Sequence, residues 1–113
     1  MHEVGLMQTA LRMAAAEASR AGATRIHRLR LRIGALSGGV PEALGMAFVA
    51  ASPGTPAEGA TFEYETVPVV CRCPSCGHEF EPADIVYCCP KCDTFSSQVE
   101  QGRELELASL EVS

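Results

Sequence analysis

The chain has no tryptophan, and its few Phe and Tyr residues amount to only 5% of the sequence. A pocket built to stack a large aromatic ligand is therefore not expected. Basic residues are also scarce: 9 Lys and Arg stand against 14 Asp and Glu, for a formal net charge of −5. That balance argues against a general nucleic-acid binder, which needs a basic surface to displace counterions from phosphates. No apolar run approaches the roughly 20 residues of a membrane span, so no membrane partner is expected. The opening MHEVGLMQTALRMAAAEASR has no basic leader, and Glu3, Gln8, Arg12 and Glu17 interrupt its apolar residues. No secretory signal is read there, and the cytosol is the expected compartment. A phosphate-binding GxxxxGKS/T loop is missing too. So is any activated nucleophile or supported carboxylate pair, and an enzyme is not expected.

What remains is 113 residues, 47% hydrophobic, enough for one domain with a small appendage. Val4, Met7, Leu11, Ala14, Ala15 and Ala18 recur at helical spacing, which predicts a helix over 3–21 capped by Gly22. Arg28-Leu29-Arg30-Leu31-Arg32-Ile33 alternates with period two, a strand with one buried face. Pro41 opens a second helix over 41–51, with Leu44, Ala47, Phe48 and Ala51 on one side. Thr61 to Val70 and 103–112 read as further strands, and a phase change near Ala108 predicts a bulge. The connection between the first two strands is long enough for a helical crossover, so they should run parallel. Arg28, Arg30 and Arg32 are expected to face Glu63, Glu65, Glu104 and Glu106 across the exposed sheet surface. The fold class expected is α+β, with two helices packed on a small mixed three-stranded sheet. Its open edge allows a monomer or a weak homodimer.

Between the last two strands the composition changes. All six cysteines lie between Cys71 and Cys92, in a stretch with few aliphatic residues. This predicts an inserted zinc-ribbon-like module over 70–97, separate from an α/β domain of 1–69 plus 98–113. Two cysteine pairs, Cys73/Cys76 in CPSC and Cys89/Cys92 in CPKC, have the two-residue gap of a metal knuckle. Such pairs can complete a tetrahedral four-thiolate site, for which Zn(II) is the default structural occupant. A rubredoxin-like iron site and a redox CxxC pair are the alternatives. Phe80, Ile85, Tyr87 and Phe95 make only a very small core, so bound metal would supply most of the module's folding free energy.

His2 stands directly after the initiator Met. A free α-amine, an ionised amide nitrogen and the imidazole of His2 can chelate a metal that favours planar nitrogen donors, Ni(II) or Cu(II). Together, the opening MHEVGLMQTAL, the RIGALSG strand-turn, the VPEAL helix start and the CxCPxCG…CCPKC insert resemble the HypA/HybF family of hydrogenase-maturation nickel metallochaperones. The resemblance spans essentially the whole chain. It implies a nickel-binding domain in which His2 is indispensable, with the Met1 amine and Glu3 as supporting donors, and Ni(II) as transient cargo. It further implies structural zinc on Cys73, Cys76, Cys89 and Cys92, with Cys71 and Cys88 as spare thiols. Some family members place an acidic residue near the nickel where this chain has Val40, with Glu42 two residues on. His78 resembles a position that some members use near zinc, although an exposed loop His is the simpler reading; His27 is given no role. The partners implied are a HypB-type GTPase and a NiFe hydrogenase large-subunit precursor, with nickel delivery as the function. A zinc-ribbon interaction or nucleic-acid-binding module with no nickel role is the alternative.

Overall fold

A computed structural model describes residues 2–37, 41–82, 87–95 and 98–113, with only the backbone described at His2 and Pro41. The element order is α1 (His2–Arg20), β1 (Ile26–Gly34), α2 (Pro41–Ala51), β2 (Thr61–Val67), β3 (Val70–Arg72), β4 (Glu79–Phe80), β5 (Gln98–Gln101) and β6 (Leu105–Val112). They form two three-stranded sheets, one ordered β2-β1-β6 and the other β4-β3-β5.

In the larger sheet β1 is central, parallel to β2 and antiparallel to β6. Leu29, Leu31 and Ile33 point from β1 into a core shared with Met7, Ala10, Leu11, Ala14 and Ala18 of α1 and Leu44, Ala47 and Phe48 of α2. Burying one such aliphatic side chain is worth about 1.5–3 kcal/mol, so this layer can hold itself together. Phe48 stacks on Phe62 of β2 with ring centroids 5.0 Å apart. The ladder between β1 and β6 shifts register twice, between Ile26 and Arg28 and again where Arg30 pairs Ser109 but Leu31 pairs Leu107, the second shift leaving Ala108 as the bulged residue. The bulge turns Leu105, Leu107, Leu110 and Val112 all toward the core in spite of the broken alternation.

The opposite face carries the arginine row. Arg28 pairs with Glu63 at 3.1 Å and Glu111 at 2.6 Å, Arg30 with Glu65 at 3.4 Å, and Arg32 with Glu65 at 3.0 Å. Glu111, not Glu104 or Glu106, is the β6 partner. The bulge sets Glu111 opposite Arg28, and Glu104 instead accepts the Gly102 backbone N–H at 2.7 Å. These pairs are exposed and worth about 0.2–1 kcal/mol each.

The smaller sheet is wholly antiparallel, with Cys71 opposite both Phe80 and Val99. β5, Gln98–Gln101, pairs with β3 in this sheet. Its core is Cys71, Cys73, Phe80 and Cys89, with Val69, Tyr87 and Val99 against it. Phe95, expected in that core, is 71% exposed, and Ile85 lies outside the described residues. Phe95 turns outward because its backbone bridges Cys88 on the rim of the module.

A narrow waist joins the two sheets. Ala35 donates its backbone N–H to Val67 at 2.9 Å and Leu36 to Gly102 at 2.6 Å, so one turn after β1 holds both connecting strands. A Cβ at Gly34 would sit 2.2 Å from the carbonyl carbon of Gly102. Only glycine allows that approach.

Candidate metal centre

Each CxxC pair is shaped by its own tight turn. In the first, Gly77 N–H donates to the Cys73 carbonyl at 3.0 Å and Cys73 N–H to the His78 carbonyl at 2.9 Å. In the second, Asp93 N–H donates to the Cys89 carbonyl and Cys89 N–H to the Thr94 carbonyl, both at 2.9 Å. The residue after each second cysteine is left-handed, Gly77 at φ 75 and Asp93 at φ 59. The bridge Cys88–Phe95 repeats the pairing of Arg72 with Glu79 one knuckle earlier. The two knuckles are therefore one structural unit used twice, facing each other.

Their sulfurs converge. Cys73 Sγ lies 3.4 Å from Cys92 Sγ, Cys76 Sγ lies 3.7 Å from Cys89 Sγ, and all four fall within 4.8 Å of one another. Four sulfurs held about 2.3 Å from a tetrahedral ion stand roughly 3.8 Å apart, so the spacing fits a single ion. Cys73 and Cys89 are buried while Cys76 and Cys92 face solvent.

The surroundings prepare part of the set for ionisation. The Cys76 backbone N–H, 3.5 Å from the Cys73 sulfur, is the chief cause that brings the Cys73 thiol down to about 6. Cys76 moves the other way, to about 11. A hydrogen bond from the His78 backbone lowers it, but burial and the Cys73, Cys89 and Cys92 sulfurs raise it further. Thiols crowded at this distance cannot all ionise without a cation among them.

Cys71 and Cys88 lie outside the cluster. Burial raises the Cys71 thiol, with Arg103 partly offsetting it; burial and then the charge of Asp93 raise Cys88. Neither has the lowered pKa of a reactive thiol. His78 is half-buried and stacks on Phe80 at 6.3 Å, and it is not part of the four-sulfur group. His27 Nε2 meets Ser113 Oγ at 2.6 Å.

Two contributors were not singled out from the sequence. Arg72 reaches Glu79 and Glu100, each at 2.6 Å, and the Gly77 carbonyl at 3.3 Å, bracing the first knuckle from below. Thr94 Oγ1 sits 3.3 Å from Cys92 Sγ, where it can donate to a thiolate. The signal for Arg72 was its place between Cys71 and Cys73 on a strand, which turns it to the face opposite the two sulfurs.

At the other end, α1 begins at His2 with Glu3 in its first turn. Met1 lies outside the described residues, as does Val40. Glu42 is exposed in the first turn of α2.

The sequence model of the family described as "Hydrogenase/urease nickel incorporation, metallochaperone, hypA" matches residues 1–112. The chain belongs to the HypA family. Among its relatives, the hydrogenase maturation factor HypA of Picosynechococcus sp. is 50% identical over 112 residues, covering 99% of each chain. The protein of the same name from Chloroflexus aurantiacus is 43% identical, covering 98% of each. The solution structure of the Ni metallochaperone HypA from Helicobacter pylori shares the fold at a TM-score of 0.70 and 27% identity, covering 99% of this chain and 97% of that one. HypA is a metallochaperone family, so the expectation of a non-enzyme agrees with it. Among the described residues no helix is long and apolar enough to cross a membrane.

Proposed function

We propose that this chain is a cytosolic nickel carrier. It binds Ni(II) through His2, with the Met1 amine and Glu3 as further donors, and delivers it to a NiFe hydrogenase large-subunit precursor with a HypB-type GTPase. The observation that carries this reading is the nickel-incorporation family match along residues 1–112, a span that includes Met1-His2-Glu3. Local structure supports it. With α1 starting at His2, the backbone N–H groups of its first turn have no intrahelical acceptor. A metal can take an ionised amide nitrogen there without breaking a helical hydrogen bond. The positive end of the helix dipole also favours anionic donors such as that amide and Glu3.

Cys73, Cys76, Cys89 and Cys92 would hold Zn(II), whose bond length matches the sulfur spacing. The ion would cross-link the two knuckles and leave no open position for catalysis. Cargo and staple are thus separated. We assign residues 1–69 and 102–113 to the nickel-binding unit and 70–101 to the zinc unit.

Nickel titration of the native, untagged chain tests this against His2→Ala and against an N-terminally extended chain. Both changes should weaken nickel by more than the roughly 10–100-fold that loss of an outer-shell partner costs. Tightly bound zinc should stay at one ion per chain. Undiminished nickel binding by the extended chain would overturn the terminal-amine site.

A further inference from the structure

β6 forms one edge of the larger sheet and, among the described residues, pairs only with β1. Its outward backbone N–H and C=O groups form an unpaired row, a template for another extended chain. Beside that row runs a groove of about 670 Å³ between α1 and β6, lined by Met13, Ala16, Leu105, Leu107 and Leu110, with Glu17 and Arg20 at its rim. Leu105, Leu107 and Leu110 are only partly buried. Arg20 is already paired with Glu17. Glu111 is held by Arg28; Glu106, which borders the groove and lies opposite Arg32 in the ladder, makes no ion pair among the described residues, since Arg32 is paired with Glu65.

We propose that this edge docks an extended segment of a protein partner in which apolar residues alternate with Lys or Arg. Adding as a fourth strand, the segment satisfies the free backbone row. Its apolar residues enter the groove beside Leu107 and Ala16, and its basic residues lie beside Glu106. A second copy of this chain is disfavoured as the occupant. An antiparallel β6–β6 pairing centred between Ala108 and Ser109 would set Glu106 of each copy against Glu111 of the other. Like charges directly opposite destabilise a sheet, and the bulge at Ala108 would interrupt the ladder.

The probe is a capped hexapeptide alternating Val and Arg, set against one alternating Val and Glu, with the full zinc-loaded chain observed by amide NMR and hydrogen exchange. The Val/Arg peptide should shift and protect amides of Leu105–Val112 and bind roughly tenfold tighter than the Val/Glu peptide. Glu106→Lys should reverse that preference. Ala16→Trp, at an exposed helix position, should block binding while leaving the spectrum of the core unchanged. Equal binding of both peptides, or shifts centred on the exposed Met46 and Val49 of α2, would overturn the proposal. Concentration-dependent shifts of β6 without peptide would overturn it in favour of self-association. Nickel is absent from every arm, so the outcome is independent of the metal-carrier reading.

Discussion

The two sheets of this chain have three strands each, yet different physics holds them. The larger sheet buries a continuous apolar layer beneath two helices. The smaller one has strands of two to four residues and a core in which three of the four buried side chains are cysteines. An apolar layer resists perturbation at many points, each contributing a little. A core built around converging sulfurs depends on one ion, and lacks an apolar reserve once that ion is gone.

The widest separation between the two regions should come from metal removal. Structural zinc contributes about 10–16 kcal/mol in small finger peptides. A strong chelator, or Cys89→Ser, should therefore collapse the dispersion of amide signals from residues 70–101. Signals from α1 and the larger sheet should stay in place. Simultaneous loss of both regions would show that the apolar layer is not self-sufficient.

The converse experiment is Leu31→Ala, which opens a cavity at a fully buried position. It should lower the stability of the helix-bearing region by about 2–5 kcal/mol in urea unfolding. Zinc content, measured by metal analysis, should not change.

Acid separates two thiols of the smaller sheet by sign. In the metal-free chain Cys73 is held near 6, below the ordinary 9 of a thiol. Its contribution to stability is present in full above about pH 9 and is lost as pH falls through about 6. Cys76, raised to about 11, has the opposite dependence, confined to the range between about 9 and 11. Zinc retention against a competing chelator, under reductant, should thus rise between about pH 6 and 9 as the thiols give up their protons to bind the ion.

The finest comparison lies within the smaller sheet, between its own two knuckles. Asp93 occupies the left-handed position that Gly77 fills in the other turn. Asp93→Gly should cost less than about 1 kcal/mol or stabilise slightly, while Gly77→Ala should cost roughly 1–2 kcal/mol. Chelator competition for zinc reads both effects.

The larger sheet was legible in the sequence because its residues obey a period. The helical stripe of α1, the alternation of β1, the parallel crossover and the bulge at Ala108 all follow from spacing. Ala10, three residues after Met7 and four before Ala14, lies on the same stripe and is fully buried, although it was not singled out from the sequence. The sulfur cluster was legible for another reason, since a two-residue gap between cysteines constrains geometry directly. The strands around it were not, because segments as short as Glu79–Phe80 carry no period to detect. The outward turn of Phe95 was equally hidden: its hydrophobicity argued for burial, whereas its backbone bridge to Cys88 decided otherwise.

The waist at Gly34 has a mechanical consequence. Both strands leading to the four-cysteine module are clamped by hydrogen bonds from the turn at Ala35 and Leu36, and that turn precedes α2. Twisting one half of the 52 Å-long molecule against the other therefore cannot occur as free rotation about a tether. Torque applied at either end is passed through two backbone straps to the turn at Ala35 and Leu36, making this glycine contact the pivot on which the halves turn together.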